Sequence, residues 1–152
     1  MRLRHSLALL VIVGCTNDPA STPGPNYNPI AGSLVGAVSG VTEGTTVQGQ
    51  YTLNLVQSGG SLSGSYTFVT GVGQNSVTMA GSVDGTIASG DYPAVTLDLT
   101  NEDCPNVKVR HTGTYDHGVR RLTLSGNIDV VNTFNGACTI PLRLSTTVVL
   151  ER

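Results

Sequence analysis

Gln50-Tyr51-Thr52-Leu53-Asn54-Leu55-Val56-Gln57-Ser58-Gly59-Gly60-Ser61-Leu62-Ser63-Gly64-Ser65-Tyr66 holds the fold in miniature. Tyr51, Leu53 and Leu55 alternate with Thr52 and Asn54, the period of two that marks a strand with one buried face. Ser58-Gly59-Gly60-Ser61 then breaks the run with two residues free to take positive φ, which is a hairpin turn. Leu62 and Tyr66 resume the alternation on the far side. Working outward, the same period predicts eight strands, near 33–41, 46–57, 61–70, 76–88, 93–100, 107–115, 121–131 and 140–151. Asp116-His117-Gly118 reads as a second tight turn, and 101–106 and 132–137 read as longer loops. Helical periodicity is missing.

A smaller unit recurs inside these strands: an apolar residue, any residue, glycine, any residue, an apolar residue. It centres on Gly36, Gly49, Gly64, Gly81 and Gly126, and on Gly113 with His111 in the first slot. Glycine on the apolar face weakens a strand unless the sheet must bend sharply or make room for a neighbour's large side chain. The repeat therefore predicts an all-β, eight-stranded antiparallel up-and-down β-barrel, which also removes exposed edges. A β-sandwich is the structural alternative, and pairing of the last strand with the first decides between them.

The chain has 152 residues, 39% hydrophobic and 12% charged, with Lys108 its only lysine and no tryptophan. So few charges exclude a nucleic-acid-binding chain and a coiled coil. Arg2, Arg4 and His5 precede the apolar run Leu7 to Val13, which is too short to span a bilayer and has the layout of a secretory signal. Ile12-Val13-Gly14-Cys15 looks like a bacterial lipobox; that resemblance implies cleavage before Cys15 and its acylation, which ties the protein to a lipid bilayer. An ordinary signal peptide with an incidental cysteine, or a short buried strand, is the competing reading. Thr16, rather than Asp, follows Cys15, so the resemblance leans to the outer membrane, facing the periplasm or the cell surface. Residues 16–29 hold four of the seven prolines and almost nothing apolar, the composition of a flexible tether. The expected organisation is a signal peptide (1–14), a lipidated Cys15 with a disordered Pro-rich tether (15–30), and a β-barrel domain (31–152).

With Cys15 lipidated, Cys104 and Cys138 remain as a pair in an oxidising compartment, and a disulfide is expected. In an up-and-down barrel the loops that carry them lie at the same end. The alternative, a metal or nucleophilic role, has no nearby His-Cys spacing to support it.

The hairpin at 50–66 resembles those of calycin-type barrels, particularly small bacterial lipoproteins with a lipocalin- or avidin-like fold. The resemblance implies binding of small hydrophobic molecules or blockade of another protein's active site. The chain departs from it in having no tryptophan, where lipocalins carry a Gly-x-Trp and avidins wall their pocket with tryptophans.

No residue is assigned a catalytic role, and no enzyme activity, cofactor or metal is expected. No Gly-x-Ser-x-Gly elbow sits between a strand and a helix, and His111 and His117 lack a convincing third metal ligand. His111 reads as a hydrogen-bonded core histidine and His117 as a solvated turn residue; Asp84, Asp91, Glu102 and Asp103 read as surface acids. Charge is asymmetric: residues 15–106 hold seven acids and no Lys or Arg, whereas 107–152 hold six bases and three acids. Lys108, Arg110, Arg121 and Arg143 should form an outer basic stripe, either a docking surface or a solvated face partly neutralised by Asp129. Two functions follow for an envelope lipoprotein. In the first, the lumen, lined by Tyr51, Leu53, Phe68, Met79, Leu97 and Tyr115, takes a small apolar or amphipathic ligand. In the second, a packed barrel acts through its outer surface or loops as an inhibitor or envelope interaction module, with an envelope protein as partner.

Overall fold

The computed structural model describes residues 24–42, 45–72, 75–134 and 137–152. Residues 1–23, with the expected signal peptide and Cys15, lie outside them. Eight strands follow in order: β1 (Gly32–Thr42), β2 (Thr45–Ser58), β3 (Ser61–Val72), β4 (Asn75–Ile87), β5 (Ala94–Asn101), β6 (Lys108–Asp116), β7 (Arg121–Phe134) and β8 (Ala137–Glu151). Each pairs antiparallel with its neighbours in sequence, and β8 returns to β1, closing the barrel. At that seam Val35 stands opposite Glu151, and the Thr146 hydroxyl donates to the Ser39 carbonyl at 3.3 Å. Closure disposes of the sandwich alternative. The architecture is compatible with a calycin-like fold.

The alternation in the sequence becomes an inside and an outside. On β5, Val95, Leu97 and Leu99 are buried while Ala94, Thr96 and Asp98 are not. The Ser58–Ser61 hairpin turns through Gly59 at φ 57°. Inward glycines and inward large side chains face each other across the ladders: Gly36 opposite Tyr51, Gly81 opposite Tyr66, Gly126 opposite His111. A Cβ on Gly126 would lie 2.7 Å from the His111 ring, so the aromatic covers the space the glycine leaves. At Gly113 the obstacle is backbone, because a Cβ there would run into the Thr123 carbonyl oxygen. The glycines thus permit both the strand coiling and the packing of large rings inside a narrow barrel.

Three local features differ from expectation. The β7–β8 hairpin is longer: residues 132–134 and 137–139, expected as loop, are strand, with a register shift between Val130 and Asn132. Cys138 consequently sits in β8 rather than in a loop, and its disulfide with Cys104 ties β8 to the β5–β6 loop. That loop is ordered around Asn101, whose side-chain oxygen accepts from the backbone N–H groups of Asp103 and Cys104 at 2.9 and 3.0 Å. Finally, residues 27–30, assigned by composition to the tether, form a strap across the opposite end. Ile30 is 1% exposed and belongs to the core; its N–H donates to Gln57 Oε1 at 2.8 Å, and Tyr115 donates its hydroxyl hydrogen to the Pro29 carbonyl. The folded domain therefore begins before residue 31.

Candidate functional site

Tyr51, Leu53, Phe68, Met79, Leu97 and Tyr115 all point into the barrel and are buried, Met79 being the most exposed at 5%. They do not frame an open lumen. With Leu34, Leu55, Leu122, Leu124, Leu144 and others they form one contiguous apolar cluster, and the Tyr51 ring packs against both Tyr66 and Phe68 at 6.1 Å. An eight-stranded barrel is just wide enough for side chains to fill, and here they fill it.

One part of the filling is polar. His111 is completely buried, stacked on Tyr51 at 6.2 Å. It is the core histidine expected from β6, but neither ring nitrogen has a hydrogen-bond partner, and the Tyr51 hydroxyl has none either. Burial raises the Tyr51 phenol pKa far above its ordinary value, with Tyr66 adding to the rise. Burial lowers that of His111, opposed by the nearby Asp129 carboxylate. Tyr66 is raised mainly by burial, partly offset by a hydrogen bond from Asn101. Sequence periodicity placed His111 inside; nothing in it signalled that the nitrogens would lack partners.

The basic stripe is a row of ion pairs. Arg110 makes two 2.7 Å hydrogen bonds to Asp98, opposite it on β5. Arg143 makes a similar pair, at 2.7 and 2.8 Å, to Asp129 on β7. Arg121 bonds Glu151 at 2.8 Å, and Lys108 contributes to the field that, after the Arg110 hydrogen bond, lowers the Asp98 pKa. Three of the four expected docking cations are thus satisfied by carboxylates on neighbouring strands. Asp129 is unusual among these acids, since its side chain is only 3% exposed although it faces outward. Tight fork-on-carboxylate pairing accounts for an acid being tolerated there.

Among the described residues, concavities indent the barrel's exterior. One of about 430 Å³ runs over Ser65, Ser82, Thr100, Asn101 and Glu102, and one of about 390 Å³ lies on β7 and β8 around Asn127 and Thr146. Two lie at the strap end: about 380 Å³ beside Tyr27 and Gln57, and about 290 Å³ among Asn28, Asp91, Tyr92, Asp116 and His117. In the sequence Asp91 and His117 read as solvated singles, because their neighbours here come from three distant segments. Among the described residues no three His, Cys, Asp or Glu side chains are grouped as a metal site requires. No family model, curated protein or solved structure matches the chain.

Proposed function

We propose that the chain is an envelope lipoprotein, anchored through an acylated Cys15, whose packed barrel acts through its outer surface and loops as a non-catalytic interaction module. The filled lumen carries this reading: the six side chains expected to line a cavity pack into a single apolar core. A fatty-acid-sized guest would have to displace Phe68, Tyr51 and their neighbours. The lipobox-like Ile12-Val13-Gly14-Cys15 supports the anchor, and two or more acyl chains give stable rather than reversible attachment.

Two measurements test the proposal. Metabolic labelling with a palmitate analogue should mark the chain and fail to mark the Cys15→Ser variant. Native mass spectrometry of the full chain, released from detergent, should give the mass of the acylated protein alone; an additional mass lost on organic extraction would overturn the outer-surface reading. A luminal guest has one observation in its favour, the three unpartnered polar atoms on Tyr51 and His111. It would be small and polar, and the same mass measurement reads it.

A further inference from the structure

The smaller concavity at the strap end is assembled rather than incidental. Asn28 comes from the strap, Asp91 and Tyr92 from the β4–β5 loop, Asp116 from the end of β6 and His117 from the turn that follows it. Each segment is fixed. The Asn28 amide donates to the Gly90 carbonyl at 2.7 Å, joining strap to loop. The backbone N–H groups of Gly118 and Val119 donate to Asp116 Oδ1 at 2.9 and 3.3 Å, which sets the turn and leaves Oδ2 open. The His117 ring stands edge-on to Tyr115 at 6.3 Å, and Tyr115 is buried beneath the strap.

Two observations single this hollow out. Of the aromatic side chains described, Tyr51, Tyr66, Phe68 and Tyr115 are buried and Tyr27 is half-buried, whereas Tyr92 is 71% exposed. An aromatic ring held in water at the rim of a polar hollow is a surface waiting for an apolar face. Separately, Asp98, Asp129 and Glu151 each have an arginine, whereas Asp91 and Asp116, like Asp84, Glu102 and Asp103, have no ion pair among the described residues; Asp91 and Asp116 alone of these flank an exposed aromatic in one hollow. Asp91 and the second carboxylate oxygen of Asp116 are strong acceptors open to a donor from a ligand.

A ring to stack on, carboxylate acceptors beside it and an imidazole suit a ligand with one apolar face and a rim of hydroxyl donors. From this geometry we infer that the hollow binds a saccharide unit, with its C–H face on Tyr92 and its hydroxyls on Asp116 and Asp91. An organic cation is the competing guest for an aromatic with acids. The charge balance opposes it: Arg120, Arg121 and Arg152 stand at the same end as Asp91, Asp116 and Glu151, so little net field remains to hold a cation. The volume of about 290 Å³ suits one or two sugar rings. The inference rests on the outer-surface reading and gives it a ligand class.

Saturation-transfer NMR on the full chain in detergent, with maltose, cellobiose and diacetylchitobiose as probes, tests it. At least one disaccharide should receive magnetisation at its ring C–H protons with a Kd in the range of about 0.1–10 mM. That binding should persist in about 0.5 M salt, where charge attraction is largely screened. Tyr92→Ala, a change at an exposed side chain, should weaken it about tenfold or more, and Asp116→Asn, which keeps the turn's acceptor, should weaken it as well. No transfer to any of the three sugars, or undiminished binding by Tyr92→Ala, would overturn the site. Salt-sensitive binding of ethylammonium in place of the sugars would overturn the ligand class. The two proposals fail separately: a luminal mass removes the outer-surface reading whatever the sugars do, and a bare lumen without sugar binding removes this site alone.

Discussion

Replacing His111 with leucine should make the barrel more stable, and more so in acid. In the folded state both ring nitrogens are buried without a partner, and each such group costs about 1–3 kcal/mol relative to its hydration in the unfolded chain. Against that stands the contact with Tyr51, a ring pairing worth about 0.5–1.5 kcal/mol. Leucine has a similar volume, faces the same gap over Gly126 and brings no polar atom. The expected gain near pH 7.5 is about 1–3 kcal/mol. The pH dependence follows from the direction of the His111 shift: burial lowers its pKa from the ordinary 6.5. The unfolded chain therefore takes up a proton that the folded chain refuses, so wild-type stability falls as pH drops through about 6.5. The slope approaches about 1.4 kcal/mol per pH unit until the lowered folded value is reached. His111→Leu lacks this proton, and the gap between variant and wild type should be wider at pH 5 than at pH 7.5. Urea melts of both proteins at pH 7.5 and pH 5, with unchanged m-values, give the comparison directly. A variant less stable than wild type by 1 kcal/mol or more at pH 7.5 would refute the reasoning, since it would mean the imidazole nitrogens are satisfied inside the barrel.

The other predictions concern the same packing. Tyr51→Phe removes an unpartnered buried hydroxyl and should leave stability unchanged or raise it by about 1 kcal/mol, read by the same melts. Reducing Cys104–Cys138, which are 34 residues apart, should lower stability by about 3–4 kcal/mol on loop-closure entropy, measured by melts with and without reductant. Arg143→Ala strands a carboxylate that is 3% exposed, whereas Arg110→Ala frees one that is 41% exposed. The first should lower the melting temperature several times as much as the second.

How far the fold could be read beforehand depended on where the signal was local. Alternation in Gln50–Tyr66 and its copies located each strand to within a few residues, because one face of every strand is buried and the other is not. The glycine repeat announced closure for a physical reason that the structure bears out: Gly81 and Gly126 sit opposite Tyr66 and His111. The misses are equally physical. Residues 132–139 lack alternation because a register shift after Val130 interrupts the pleat, so a long hairpin resembled a loop. The strap was hidden by its prolines, since a single isoleucine, Ile30, plugs the barrel end without any periodic partner. Asp129 faces outward by parity, yet its burial depends on packing that no spacing rule reports.

The least legible feature is the strap-end hollow, because its parts are placed by closure alone. Asn28, Asp91 and Asp116 are separated by 63 and 25 positions, and only an up-and-down order brings the β4–β5 loop, the β6–β7 turn and the incoming strap to one rim. This dependence leads to a last prediction. Gly113→Ala would push a Cβ into the Thr123 carbonyl, a backbone obstacle, whereas Gly126→Ala meets the His111 ring at 2.7 Å and the Arg110 carbonyl oxygen at a less severe 2.8 Å. A side chain can yield where a strand cannot. Gly113→Ala should therefore be the more damaging, by about 1–3 kcal/mol in urea melts, and His111→Ala should rescue Gly126→Ala in part, the Arg110 carbonyl remaining, without rescuing Gly113→Ala. Equal rescue of both would mean that the glycines serve chain flexibility rather than the close approach of neighbouring strands. The end of β6 and the turn after it, which carry Asp116 and His117, would then owe their position to something other than the packing beneath them.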